Sequence, residues 1–204
     1  MSSPTDDKSH SRSAFPQAII ELMTIADAQR DVRTAFLGGF PGQLVSGLIW
    51  LASAILATWS TPRAAILMLA LGGMFIFPLT QLFLRLMGRP TSLPKGHPMN
   101  ALAMQIAFIV GLMLPLIAAA TLCHVYWFYP AFLLVVGAHY LPFTFLYGMR
   151  QFLVLAALMI AAGLLTGLYA PAHFALGGWI GAALLLAFAL IGRRTAINEA
   201  EKSH

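Results

Sequence analysis

Four polar side chains, Gln43, Gln81, Gln105 and His139, stand inside otherwise apolar stretches of this sequence. Each amide offers a donor and an acceptor, and imidazole adds a group whose unperturbed titration near pH ~6.5 allows proton exchange under physiological conditions. Tyr140 and Asn100 extend this set, and Arg85 and Arg150 are nearby cations suited to an anion or a lipid headgroup. The missing residues narrow the chemistry as much. Between Asp31 and Glu199 there is no Asp or Glu. Two-carboxylate hydrolysis and carboxylate-coupled cation transport therefore have no residues to use. His97, His124, His139 and His173 lie in separate segments with no pair at helical ligand spacing, so no metal site is expected. Cys123 is the sole cysteine, which excludes an intrachain disulfide, and its neighbour His124 lacks a third group to complete a thiol nucleophile. No catalytic residue and no cofactor is assigned.

The elements that must position these groups follow from charge spacing. Arg33 to Arg63 encloses 29 uncharged residues and Arg63 to Arg85 encloses 21, whereas Lys95 to Arg150 encloses 54 and Arg150 to Arg193 encloses 42. A helix crosses the hydrocarbon in about 20 residues, so these blocks hold one, one, two and two spans. The fold class is all-α, a polytopic membrane bundle of six transmembrane helices over 35–59, 64–87, 99–121, 125–148, 151–169 and 173–192. Breaks at Leu122-Cys123-His124 and Ala170-Pro171-Ala172 divide the long blocks. A five-span arrangement is the competing topology. A hydrophobic content of 59%, a charged content of 9% and a mean hydropathy of +0.80 agree with lipid as the solvent. The net charge of +5 does not signal a nucleic-acid partner, because the basic residues sit at span ends.

With both termini cytoplasmic, Lys8, Arg12, Arg30, Arg33, Arg85, Arg89, Lys95, Arg150, Arg193, Arg194 and Lys202 face inward, eleven against Arg63 alone outside. This is a strong positive-inside pattern and sets the orientation, with both termini on the cytoplasmic side of an inner (plasma) membrane. Trp59, Tyr126, Trp127, Tyr129 and Tyr169 then fall near the outer boundary. Residues 1–14 read as a disordered cytoplasmic tail, 15–33 as an amphipathic interfacial helix, 34–192 as the membrane domain and 193–204 as a cytoplasmic C-terminal tail. Phe15, Ala18, Ile19, Leu22 and Ala26 supply the apolar face of the interfacial helix. No secretory signal is recognisable. The segment from Gly88 to Pro98 is the one substantial loop, so any site must lie in the bundle or on its rim.

Small residues recur every four positions at Gly38, Gly42 and Ser46, at Gly163 and Gly167, and at Gly177 and Gly181, as in closely packed membrane helices. Pro78, Pro115 and Pro142 interrupt spans two, three and four and withhold a donor from the carbonyls of Met74, Gly111 and Ala138. Counted at ~1.5 Å per residue from the cytoplasmic boundary, Gln43, Gln81, Gln105 and His139 lie roughly 10, 9, 9 and 13 Å deep. They form one polar band across spans one to four.

The run from Gly38 to Trp50, GGFPGQLVSGLIW, together with Phe77 to Gln81, FPLTQ, resembles bacterial multi-span proteins grouped as a family of unknown function. That resemblance implies an integral membrane protein and carries over no catalytic residue. Three functions compete. The first is a small permease or ligand-binding conduit in which Gln43, Gln81, Gln105, His139, Tyr140 and Asn100 line a cytoplasm-facing cavity for a small polar ligand, with Arg85 and Arg150 at its mouth. The second is a non-catalytic accessory subunit bound to a membrane partner or to further copies of itself. The third is a lipid-modifying enzyme with His139 as base. Membrane lipids are partners under every reading.

Overall fold

The computed structural model describes residues 23–170 and 172–202, and every regular element among them is a helix. The tail 1–14 and the apolar positions Phe15, Ala18, Ile19 and Leu22 lie outside the described residues. Helix α1 spans Ile25–Ala35. The chain then crosses six times, in α2 (Phe40–Trp59), α3 (Pro62–Leu86), α4 (Asn100–Cys123), α5 (Phe128–Tyr147), α6 (Gln151–Tyr169) and α7 (Phe174–Lys202). All six are long and apolar enough to span a bilayer.

Two boundaries differ from those expected. The first span starts at Phe40 because Leu37–Gly39 forms a 3₁₀ turn with φ of 48° at Leu37, 62° at Gly38 and 83° at Gly39. Positive φ costs glycine little, and a Cβ on Gly38 would also lie 2.6 Å from the carbonyl oxygen of Gly192 on α7. Gly38 is therefore the pivot between α1 and α2 rather than part of a straight small-residue stripe. At the other end, α7 continues past residue 192 to Lys202. No Pro or Gly follows Gly192 to stop it, and the Thr195 hydroxyl donates back to the Ile191 carbonyl.

Helix α2 packs most extensively on α7 and then on α3, while α5 packs on α6 and α4 joins through α5. Between membrane helices the driving term is van der Waals fit, and glycines supply the room for it. Trp50 of α2 lies directly over Gly181, and Tyr129 of α5 lies over Gly177 and Gly178. Tyr129, near the end of its span, is thus fully buried among the helices. Its hydroxyl is 2.6 Å from Ser53 Oγ, which itself donates to the Ala65 carbonyl at 2.8 Å. Since the serine proton is committed to Ala65, Tyr129 donates to Ser53. This chain ties α2, α3 and α5 together in the half of the bundle remote from α1.

The side carrying α1 and the end of α7 is here called the basal side. There α1 lies across the end of α5, where the last carbonyls of a helix lack intrahelical donors. Gln29 Nε2 donates to the Phe145 carbonyl at 2.6 Å and Arg33 Nη1 to the Tyr147 carbonyl at 2.7 Å. The loop between α3 and α4 holds α1 from its other flank. Arg89 donates to the Thr34 carbonyl, and buried His97 places Nε2 3.8 Å from Asp31 Oδ2.

Candidate functional site

The first four spans leave a cavity of about 480 Å³ between them. It runs from Val32 and Phe36 of α1 at the basal end to Trp50, Leu69 and Phe132 near the bundle's middle. Its walls come from α2, α3, α4 and α5, and most of the lining is apolar. The polar exceptions are Gln43, Ser46, Thr80, Gln81, His139, Tyr140 and Tyr147, with no charged side chain in the wall.

Sequence dictates this clustering through helical phase. On α3, Gly73, Phe77, Thr80 and Leu84 repeat at spacings of three and four and share the cavity face. On α5, Phe132, Val136, His139, Tyr140, Phe143 and Tyr147 do the same. His139 lies 5.0 Å from Phe143 by ring centroids, Phe143 stacks on Tyr147 at 5.8 Å, and both contact Phe152 of α6. This aromatic column fixes the ring faces on that wall.

The hydrogen-bonding state of the polar atoms is the notable property. Gln43 is only 2% exposed, yet neither its Nε2 nor its Oε1 has a protein partner. Thr80 Oγ1 and His139 Nδ1 are likewise buried and unpartnered. Burying such a group without a partner costs about 1–3 kcal/mol, so most interiors avoid it. Three residues that line one cavity from three helices therefore each carry an unmet hydrogen-bonding demand.

The structure brings Gln43, Gln81, His139 and Tyr140 to this cavity and places the other candidates elsewhere. Gln105 is exposed on α4, one residue round from buried Ile106, which takes the inward position. Asn100 donates from Nδ2 to the Pro94 carbonyl at 2.8 Å and steadies the α3–α4 loop. Arg85 and Arg150 are exposed and do not reach the wall. Thr80 and Ser46 belong to the site and were not singled out for it. Thr80 could have been found from its position seven residues after Gly73, on the same helical face.

No group of three or more His, Cys, Asp or Glu side chains that could hold a metal occurs among the described residues. Cys123 is exposed at the end of α4 and is not part of the cavity lining.

Fold and site together define a multi-span membrane protein with an internal cavity whose polar groups are not internally satisfied. Residues 25–194 match the profile of a family described as a family of unknown function, DUF7010, and the chain belongs to it. No curated protein and no solved structure matches the chain.

Proposed function

We propose that this protein binds a small ligand inside the membrane, in the cavity bounded by α2, α3, α4 and α5. One observation carries the reading: the fully buried Gln43 amide, unpartnered at both atoms, shares a cavity with unpartnered Thr80 Oγ1 and His139 Nδ1. A volume of about 480 Å³ lies within the usual range of ligand sites, roughly 300–1,000 Å³. The surplus of basic residues at the basal side, Arg30, Arg33, Arg85, Arg89, Lys95, Arg150, Arg193 and Arg194 against Arg63 opposite, supports a cytoplasmic basal side and hence a site in the inner leaflet of a bacterial plasma membrane.

Binding is better supported than passage. The cavity ends at Trp50, Leu69 and Phe132, and beyond them Trp50 fills the Gly181 notch while Ser53, Tyr129 and Ala65 are bonded across three helices. A permease would have to open that packed half. The test is native mass spectrometry of the protein extracted from membranes, wild type against a Gln43→Leu, Gln81→Leu, His139→Phe variant. A small molecule retained by the wild type and absent from the correctly inserted variant is the expected result. Equal retention, or none by the wild type in nanodiscs of native lipid, would overturn the reading.

A further inference from the structure

The cavity has a side as well as ends. Helices α3 and α4, which form two of its walls and are joined only by the Met87–Met99 loop, scarcely touch each other. Each places a glycine in the cavity wall, Gly73 on α3 and Gly111 on α4. These two differ from the glycines that seat a neighbouring ring or backbone. A Cβ added at either meets nothing within 4 Å, whereas one at Gly181, Gly177 or Gly137 would run into Trp50, Tyr129 or Ile160. Close packing therefore does not account for Gly73 and Gly111, and the space beside both is open. Each also stands beside a break in the helix. Pro115 has no N–H for the Gly111 carbonyl, and Pro78 has none for that of Met74, next to Gly73.

At the basal end, by contrast, the cavity meets Val32 and Phe36 of α1, which is held by Gln29, Arg33 and Arg89. A ligand arriving from water would meet apolar side chains there. One arriving from the bilayer meets a gap between two helices.

Building on the binding reading, we propose that the ligand is a neutral, hydroxyl-headed lipid that enters sideways from the bilayer between α3 and α4, its head on Gln43, Thr80 and His139 and its chain lying past Gly73 and Gly111. Three features set this chemistry. The wall offers no charge to balance an ionic head, and an unbalanced charge in such a site costs several kcal/mol. Gln43, Thr80 and His139 each carry a buried polar atom without a partner, and a hydroxyl, which both donates and accepts, can answer any of them. The volume, at the ~30 Å³ of a liquid water, holds about sixteen non-hydrogen atoms, so a long-chain lipid seats its head and the start of its chain and leaves the rest in the bilayer.

The experiment uses the full-length protein in phosphatidylcholine nanodiscs and four diazirine-bearing photoprobes: a diacylglycerol, its methyl ether, a phosphatidylcholine and a short-chain alcohol. Labelled residues are mapped by mass spectrometry. Saturable labelling of the α2–α5 walls by diacylglycerol and by the short alcohol is expected, with the ether weakened about tenfold or more because it has no proton to donate. Phosphatidylcholine should give only unsaturable labelling of the lipid-facing surface. Filling the gap with Gly73→Phe and Gly111→Phe should abolish diacylglycerol labelling but leave that of the short alcohol. If those substitutions disturb insertion, Gly73→Leu with Gly111→Ala replaces them, since the first added carbon of each has open space.

Undiminished diacylglycerol labelling of the filled variant would overturn lateral entry while leaving the cavity as a binding site. Equal labelling by the ether or saturable cavity labelling by phosphatidylcholine would overturn the hydroxyl-headed class. Saturable labelling by neither alcohol would remove this proposal together with the binding reading beneath it.

Discussion

Replacing Gln43 by Leu should make the protein more stable while removing its ligand. Gln43 is 2% exposed and both polar atoms of its amide are unpartnered. An unsatisfied buried polar group costs about 1–3 kcal/mol, and an apolar side chain of similar length removes that cost. Weak compensation of polar groups inside membranes, where a hydrogen bond averages only ~0.6 kcal/mol, sets the lower end of the gain. The expected stabilisation is therefore about 0.6–3 kcal/mol. At roughly 2–4 °C per kcal/mol for a chain of this size, the ligand-free variant should unfold about 1–12 °C higher. Thermal unfolding in detergent, followed by near-UV circular dichroism after exhaustive delipidation, measures it. Bound ligand should reverse the order, because it stabilises only the wild type.

One alternative partner for the amide must be separated. A Cβ on Gly192 would lie 2.8 Å from Gln151 Nε2 and 3.7 Å from Gln43 Oε1, so the two amides border the same spot without being bonded to each other. A double-mutant cycle of Gln43→Leu and Gln151→Leu should therefore show no coupling beyond about 0.5 kcal/mol. A lower unfolding temperature for Gln43→Leu, or a coupling well above that value, would refute the reasoning, since it would mean that the amide is a structural hydrogen-bonding group.

The opposite sign is expected at Ser53→Ala, which leaves the buried Tyr129 hydroxyl without its partner and should lower stability by about 1–3 kcal/mol in the same unfolding assay. Gly181→Leu should yield little folded protein by size-exclusion chromatography because its side chain would occupy the place of Trp50, while Gly73→Ala and Gly111→Ala should be neutral or stabilising by up to about 1 kcal/mol each. Gly38→Val should be destabilising by at least about 1–2 kcal/mol in unfolding measurements, since φ of 62° disfavours a branched side chain and the Gly192 carbonyl is too close. Exposed Cys123 should react with a membrane-impermeant maleimide in intact spheroplasts and be protected in inverted vesicles if the basal side is cytoplasmic, and the reverse pattern would invert the topology.

The six crossings were legible because so few charges interrupt the chain, and each of Arg63, Arg85, Lys95, Arg150 and Arg193 stands within a loop or within one turn or so of an apolar stretch's end. The start of the first span was not, because Gly38 reads as part of a packing stripe with Gly42 and Ser46, whereas beside the α7 backbone it takes up a left-handed turn with Gly39. Depth along the spans grouped Gln43, Gln81 and His139, which line one cavity, but depth says nothing about direction around a helix. Gln105 shares their depth and points away, since Ile106 takes the cavity side of α4. Tyr129 illustrates the same gap. An aromatic ring at a span end suits the membrane boundary, yet the adjacent Gly177 and Gly178 open a notch on α7 that draws it inside. Such notches depend on which helices become neighbours, and periodicity within one helix does not contain that information.

An experimental density map of the protein in nanodiscs made from its native lipid is the most direct measurement. Density within hydrogen-bonding distance of Gln43, Thr80 Oγ1 and His139 Nδ1, continuing between Gly73 and Gly111 into the surrounding lipid, is the result expected here. A map in which the Gln43 amide is bonded to protein groups and α3 closes against α4, leaving neither cavity nor gap, would contradict it.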